Sequence, residues 1–158
     1  MESFHIHKGK LDDAVMVSAN VPEFDDPYKI LEYSKRLDST THLILTAYDD
    51  HNPIAFKIGY QRHSDGSFYS WMGGILPNHR QNGVASALAD YQESWAIKNG
   101  YKSIKLKTRN KYEAMISFAI DRGFDIIDSE TNEDIPEMRI WMEKILFLRR
   151  TRIDAKNK

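Results

Sequence analysis

The feature that most limits what this chain can fold into is a change of apolar period between residues 68 and 108. The run FYSWMGGIL (68–76) is dense in apolar and β-favouring residues. Beyond Pro77 the spacing changes: Val84, Leu88, Tyr91 and Trp95 fall at i, i+4, i+7 and i+11, one stripe of an α-helix. Asn99-Gly100 then supplies a helix stop, because glycine accepts the left-handed cap conformation. SIKLKT (103–108) follows, alternating Ile104 and Leu106 against Lys105 and Lys107, as a strand with one wet face does. Strand, helix and strand in this order form a βαβ unit, whose crossover is right-handed and leaves the two strands parallel.

The flanking segments extend this unit in both directions. HLILTAY (42–48) and PIAFKIGYQ (53–61) join FYSWMGGIL through DDHN and HSDGS. Asp65-Gly66 offers the positive φ that a hairpin needs, so these three runs read as an antiparallel meander. Nearer the start, SFHIH alternates like a short strand, and KLDDAVMVSANV places Leu11, Val15 and Val17 at helical spacing. DDPYKILEYSKRL is expected to start a helix with Asp26 as N-cap and Pro27 in the first turn, burying Ile30, Leu31 and Leu37. Downstream, NKYEAMISFAIDRGF reads as a helix closed by Gly123, followed by strands in FDIIDS and EMRIWMEKILFL. The expected fold is α/β (α+β): a mixed, mostly antiparallel central sheet of about seven strands with helices on both faces. A chain of 158 residues suits one domain, placed at 1–148. RRTRIDAKNK (149–158), basic and aperiodic, reads as a flexible tail.

Composition narrows the function classes. Net charge is −1, so no global field recruits nucleic acid or an anionic membrane. The chain has no cysteine, which removes disulfides, thiolate metal sites and a cysteine nucleophile, and fits a reducing, cytoplasmic setting. MESFHIHKGKLDDAV lacks the apolar core of a signal peptide, and no apolar run approaches the ~18 residues of a membrane span. His5 and His7 can point the same way on a strand but lack a third ligand, so no metal is expected.

Residues 75–95, ILPNHRQNGVASALADYQESW, sit at the first turn of the βαβ unit. The first N–H groups of a helix have no internal partner and carry its positive dipole end, which suits a phosphate. Gly83, Ala85 and Ser86 are small enough for close approach, and Arg80 places a cation at the mouth. Neither G-x-x-x-x-G-K-[ST] nor a strand-linked G-x-G-x-x-G is present, which disfavours a P-loop or a Rossmann site. What stands there is Arg80-Gln81-Asn82-Gly83-Val84-Ala85, or R-x-x-G-x-A.

This hexapeptide follows an I-x-P strand end and opens a long helix. With Asn110 and the GF of Gly123-Phe124 downstream, it resembles the acetyl-CoA signature of the GCN5-related N-acetyltransferase (GNAT) family. The resemblance implies that main-chain amides from Gln81 through Ser86, including those of Asn82, Gly83, Val84 and Ala85, hold the coenzyme A pyrophosphate. It further implies that Ile75 and Leu76 serve the pantetheine arm, in a cleft where two parallel strands splay, and polarise the acetyl carbonyl through a main-chain N–H. Asn110 would meet the pantetheine or acetyl end. The implied activity is acetyl transfer from acetyl-CoA, without a metal, to the primary amine of a small molecule or peptide.

The proton-handling groups depart from the family pattern. Many members carry a tyrosine four residues before the glycine of GF; here it is Ala119. Tyr112 and Ser117 share that helix without matching the position. No Asp or Glu lies between Gly66 and Gly83, so Tyr69 is the candidate proton relay there, beside the packing role usual for a strand tyrosine. His79 suits a solvent-facing or phosphate-neighbouring place better than a base. Glu23, Asp25, Asp26 and Glu32 read as helix capping or as an acceptor attractant, and Tyr48, Phe56, Tyr69 and Trp71 as core or acceptor lining. Trp141, alternating with Arg139 and Glu143, leaves a homodimer open. An acyl-CoA-binding sensor or degenerate member with little turnover stands as the alternative to an enzyme.

Overall fold

A computed structural model describes residues 3–146. The element order is β1 (His5–Lys8), α1 (Leu11–Ser18), α2 (Ile30–Leu37), β2 (His42–Asp49), β3 (Asn52–Tyr60), β4 (Ser67–Ile75), α3 (Val84–Lys98), β5 (Ser103–Arg109), α4 (Glu113–Asp121), β6 (Asp125–Glu130) and β7 (Arg139–Ile145). Short 3-10 turns lie at Pro77–His79 and Ile135–Glu137. The seven strands form one mixed sheet in the order β1-β2-β3-β4-β5-β7-β6. β1–β2, β2–β3, β5–β7 and β6–β7 pair antiparallel. β4 and β5 pair parallel, Ser67–Ser70 against Ser103–Leu106, as a right-handed crossover through α3 requires. No helix among the described residues is long and apolar enough to cross a membrane. The tail proposed at 149–158 lies outside the described residues.

The chain divides into two compact units, one of the described residues up to Gln61 with Trp71–Ser94, the other of Arg62–Ser70 with the described residues from Trp95 onward. In the first, α1 packs on β2 and β3 and buries Ala14 and Val17 against a core that includes Leu45, Ile54, Phe56 and Ile58. In the second, the ring of Phe68 meets Trp95 at 5.0 Å and Tyr101 at 5.1 Å, above Ile104, Leu106 and Met142, all buried.

Two elements differ from the sequence expectation. The second helix begins at Ile30, three residues after Pro27, so Asp26 and Pro27 precede it. Tyr28 accounts for the delay: its ring packs on Tyr33 at 5.7 Å and Trp71 at 5.8 Å, and Lys29 stays extended behind it. Tyr33 and Leu37, four residues apart, form the buried face, whereas Ile30 is exposed and Leu31 is 71% exposed. On α3 the fully buried line runs through Val84, Leu88, Gln92 and Ala96, with Tyr91 and Trp95 only half-buried. Gln92 Nε2 has no hydrogen-bond partner among the described residues, an uncommon state for a buried amide. β6, the last strand of the sheet, is exposed along its whole length.

Candidate functional site

The turn from β4 into α3 belongs to the first unit and has an unusual backbone. Gln81 adopts φ +65° and Gly83 φ +86°. A left-handed non-glycine residue costs about 1 kcal/mol and persists only where its surroundings enforce it. A Cβ on Gly83 would meet no protein atom within 4 Å, so the glycine answers to backbone conformation and not to crowding. The Ala87 N–H bonds the Gly83 carbonyl at 3.0 Å, so the amides just before it are the ones a helix leaves without an internal partner. Ala85 is half-buried, and Asn82 flanks the turn. Amides, small side chains and the positive end of a 15-residue helix meet here, a fit for an anion with closely spaced oxygens.

Arg80 anchors this turn. Its Nε–H donates to the Ile75 carbonyl at 3.0 Å, and both terminal nitrogens donate to Glu23, each at 2.8 Å. The hydrogen bond from Arg80 holds the Glu23 carboxyl below its ordinary range, and Glu23 raises the guanidinium in turn. Glu23, read from sequence as a capping or acceptor-side charge, is thus a strut between the α1–α2 segment and the turn. The two residues lie 57 positions apart, and no local signal pairs them. The Leu76 N–H donates to the Ile54 carbonyl at 2.9 Å, and the Leu76 carbonyl accepts the His79 N–H at 2.9 Å. Main-chain groups at Leu76 are therefore engaged with the protein itself.

Gly74 is demanded by packing. A Cβ there would lie 2.9 Å from Val21 Cγ2 and 3.3 Å from Phe56 Cε1, with Phe24 Cε2 at 3.6 Å. Three residues earlier, Trp71 faces the same side of β3, its ring 5.6 Å from Tyr60 and 5.2 Å from Tyr33. Regular alternation would set positions 71 and 74 on opposite faces, so the pleat of β4 is broken between them. Arg36 lies over the Trp71 ring at 4.8 Å and donates to the Tyr60 hydroxyl at 3.2 Å. Of the four aromatics read as core or acceptor lining, Tyr48, Phe56 and Tyr69 are buried and Trp71 is half-buried. His5 and His7 do share a side, stacking against each other and Tyr48.

In the second unit, Asn110 follows β5. Its backbone N–H donates to Met138 at 2.8 Å and its Nδ2 to the Ile135 carbonyl at 3.3 Å. Arg109 and Lys111 both bridge to Glu137, at 3.1 and 2.5 Å, so the turn before α4 is clamped to the Ile135–Glu137 turn. Ala119 is 1% exposed, a buried methyl that carries no proton donor. Tyr112 is half-buried just before α4, and Ser117 is exposed. Tyr69 is 3% exposed, beneath the guanidinium of Arg62 at 4.8 Å. The Trp141 Nε1–H donates to Glu130 at 2.7 Å, and its ring meets Tyr69 at 5.8 Å.

Comparison with known proteins agrees with this frame. The chain superposes on the ribosomal-protein-S18-alanine N-acetyltransferase from Escherichia coli with a TM-score of 0.78 at 16% identity, covering 91% of this chain and 94% of the other. Ard1 from Thermoplasma volcanium gives 0.76 at 17%, covering 90% and 97%. The PaiA N-acetyltransferase from Thermoplasma acidophilum, solved in complex with coenzyme A, gives 0.69 at 18%, covering 91% and 99%. At such identities the likeness is one of fold. Among curated proteins, no sequence matches the chain. The sequence pattern of the Acetyltransferase (GNAT) family, however, matches residues 12–124, from α1 through the end of the α4 turn. A match over more than half of the chain, running through the R-x-x-G-x-A turn, places this protein in the GNAT acetyltransferase family.

Proposed function

We propose that this chain moves the acetyl group of acetyl-CoA directly to the primary amine of a small molecule or peptide. The observation that carries the reading is the turn at Arg80–Gly83: two left-handed residues, and open space above Gly83, at the start of a long helix. In this reading the amides of Gln81, Asn82, Gly83, Val84, Ala85 and Ser86 hold the diphosphate. Arg80 shapes the loop from behind through Glu23. Ile75 supplies main-chain contact to the pantetheine arm, with Leu76 beside it, and Asn110 keeps the turn before α4 in place. In the transfer, the thioester C–S bond breaks as the amine nitrogen bonds to the acetyl carbon. The amine loses a proton and the thiolate gains one. Solvent water is assigned the proton traffic, since Tyr69 is covered and Ala119 carries no donor.

Gly83→Glu fills the open space and sets a carboxylate against the diphosphate. Acetyl-CoA affinity should fall more than about tenfold, measured by calorimetric titration. Unchanged affinity would sink the cradle. The buried methyl at Ala119 favours a second reading, an acyl-CoA-binding member with little turnover. Thiol release over a panel of amines, polyamines, amino acids and peptides separates the two: binding of acetyl-CoA without release from any acceptor selects the second.

A further inference from the structure

The second unit carries a charged sheet face that the transferase reading does not use. On β4, β5 and β7 one face is apolar: Phe68, Ile104, Leu106, Ile140 and Met142 are buried, Phe68 against Trp95 and Tyr101. The other bears Tyr69, Lys105, Lys107, Arg109, Arg139 and Trp141, with Lys107 directly across from Trp141 and Arg109 across from Arg139. Two like charges opposed across strands repel. Arg62 reaches over the same surface, 4.8 Å from the Tyr69 ring and 5.2 Å from the Trp141 ring, while Lys107 Nζ sits 5.0 Å from that indole.

The nearby carboxylates are already engaged. Asp65 holds Lys105 and Ser67, Glu143 accepts from the Ser103 hydroxyl, Glu130 from the Trp141 indole, and Glu137 bridges Arg109 and Lys111. Among the described residues, Arg62, Lys107 and Arg139 form no ion pair. Burial, then the charges of Arg62 and Arg139, hold the Lys107 ammonium below its ordinary value, with Glu130, across from Arg139 on β6, opposing them in part.

We propose that this face of β4, β5 and β7 docks an acidic polypeptide segment, its carboxylates meeting Arg62, Lys107 and Arg139 and its side-chain stems lying on the half-buried Trp141 ring. A peptide fits better than a nucleic acid because Glu130 and Glu137 border the cluster. Carboxylates spaced along a flexible chain straddle them, whereas a continuous phosphate backbone is repelled.

The test uses the full chain and a labelled octaglutamate peptide, read by fluorescence anisotropy, with octalysine and an eight-nucleotide single strand as comparisons. Binding should appear at about 50 mM salt and weaken by about 300 mM, where screening shortens the range of such contacts. Arg62→Gln and Lys107→Gln should each weaken it about threefold, and together about tenfold. Should the double variant fail to fold, Arg139→Gln, at an exposed position, gives the same reading with about a threefold loss. Octaglutamate binding that is undetectable, or unchanged in the variants, overturns the proposal, because the anion then docks elsewhere or nowhere. Tighter binding of the oligonucleotide, lost in the same variants, overturns it in favour of a nucleic-acid surface. Acetyl transfer enters none of these readouts.

Discussion

A methyl group added at Gly74 would have to displace Val21 Cγ2 at 2.9 Å and the edge of Phe56 at 3.3 Å, both in the interior of the first unit. The same methyl at Gly83 would touch nothing within 4 Å, yet its residue would have to hold φ +86°. The two glycines therefore fail differently. Gly74→Ala is expected to lower stability by about 1–3 kcal/mol through overpacking, seen as a lower urea midpoint with an unchanged slope. Gly83→Ala should cost only about 1 kcal/mol through its backbone conformation, with any larger effect appearing in coenzyme affinity. Equal losses from the two substitutions would contradict this division. Residue-level causes of this kind were only partly legible in the sequence. That Gly83 is small in a strand-to-helix turn was visible. That Gln81 is also left-handed carries no residue-type signal, and that Arg80 is held by Glu23 depends on a contact across 57 positions that no window reports.

At the scale of elements, apolar periods of 2 and 3.6 were sufficient wherever a segment's own side chains decide its conformation. The meander, β5, α4 and the extent of α3, though not its buried line, follow from them. They failed where tertiary packing intervened, as at α2, whose start is delayed by Tyr28 resting on Tyr33 and Trp71. The Glu32 carboxylate, not Asp26, accepts the entering Lys29 N–H, at 3.4 Å. Asp26→Ala should therefore change stability by less than about 0.5 kcal/mol, as a surface change does, while Glu32→Ala costs about 0.5 kcal/mol or more. Thermal melts of both variants decide it, and the reverse order would restore Asp26 as the cap. The β3–β4 hairpin offers a pH test. Asp65 accepts from Lys105 at 2.7 Å and from the Ser67 hydroxyl at 2.5 Å, which holds its carboxyl well below the usual range. A depressed folded value means that its contribution is present above the unfolded value near 4 and is lost as pH falls through the folded one. With half the side chain in solvent, Asp65→Asn should cost about 1 kcal/mol at neutral pH, and the gap between wild type and variant should begin to narrow only below about pH 4, closing as pH falls through the depressed folded value. Curves that stay parallel would show that the carboxylate charge is not what matters there.

For the whole molecule, β4 and α3 each contribute residues to both compact units, so neither unit can melt without unravelling an element of the other. One cooperative transition is expected, with calorimetric and van't Hoff enthalpies in agreement. A ligand that binds only the folded chain shifts that transition by mass action, and at a hundredfold excess over its Kd the stabilisation is about 2.7 kcal/mol. In a protein of 158 residues this corresponds to a rise in Tm of roughly 5–10 °C. Acetyl-CoA should produce the rise in the wild-type chain and lose nearly all of it in Gly83→Glu, while the ligand-free Tm of the variant stays within a few degrees. Because the substituted side chain points into open space, loss of the ligand shift without loss of ligand-free stability separates a binding defect from a folding defect. A variant that keeps the full shift would move the diphosphate away from the start of α3, and a variant that melts early on its own would show that the turn is there to hold the fold.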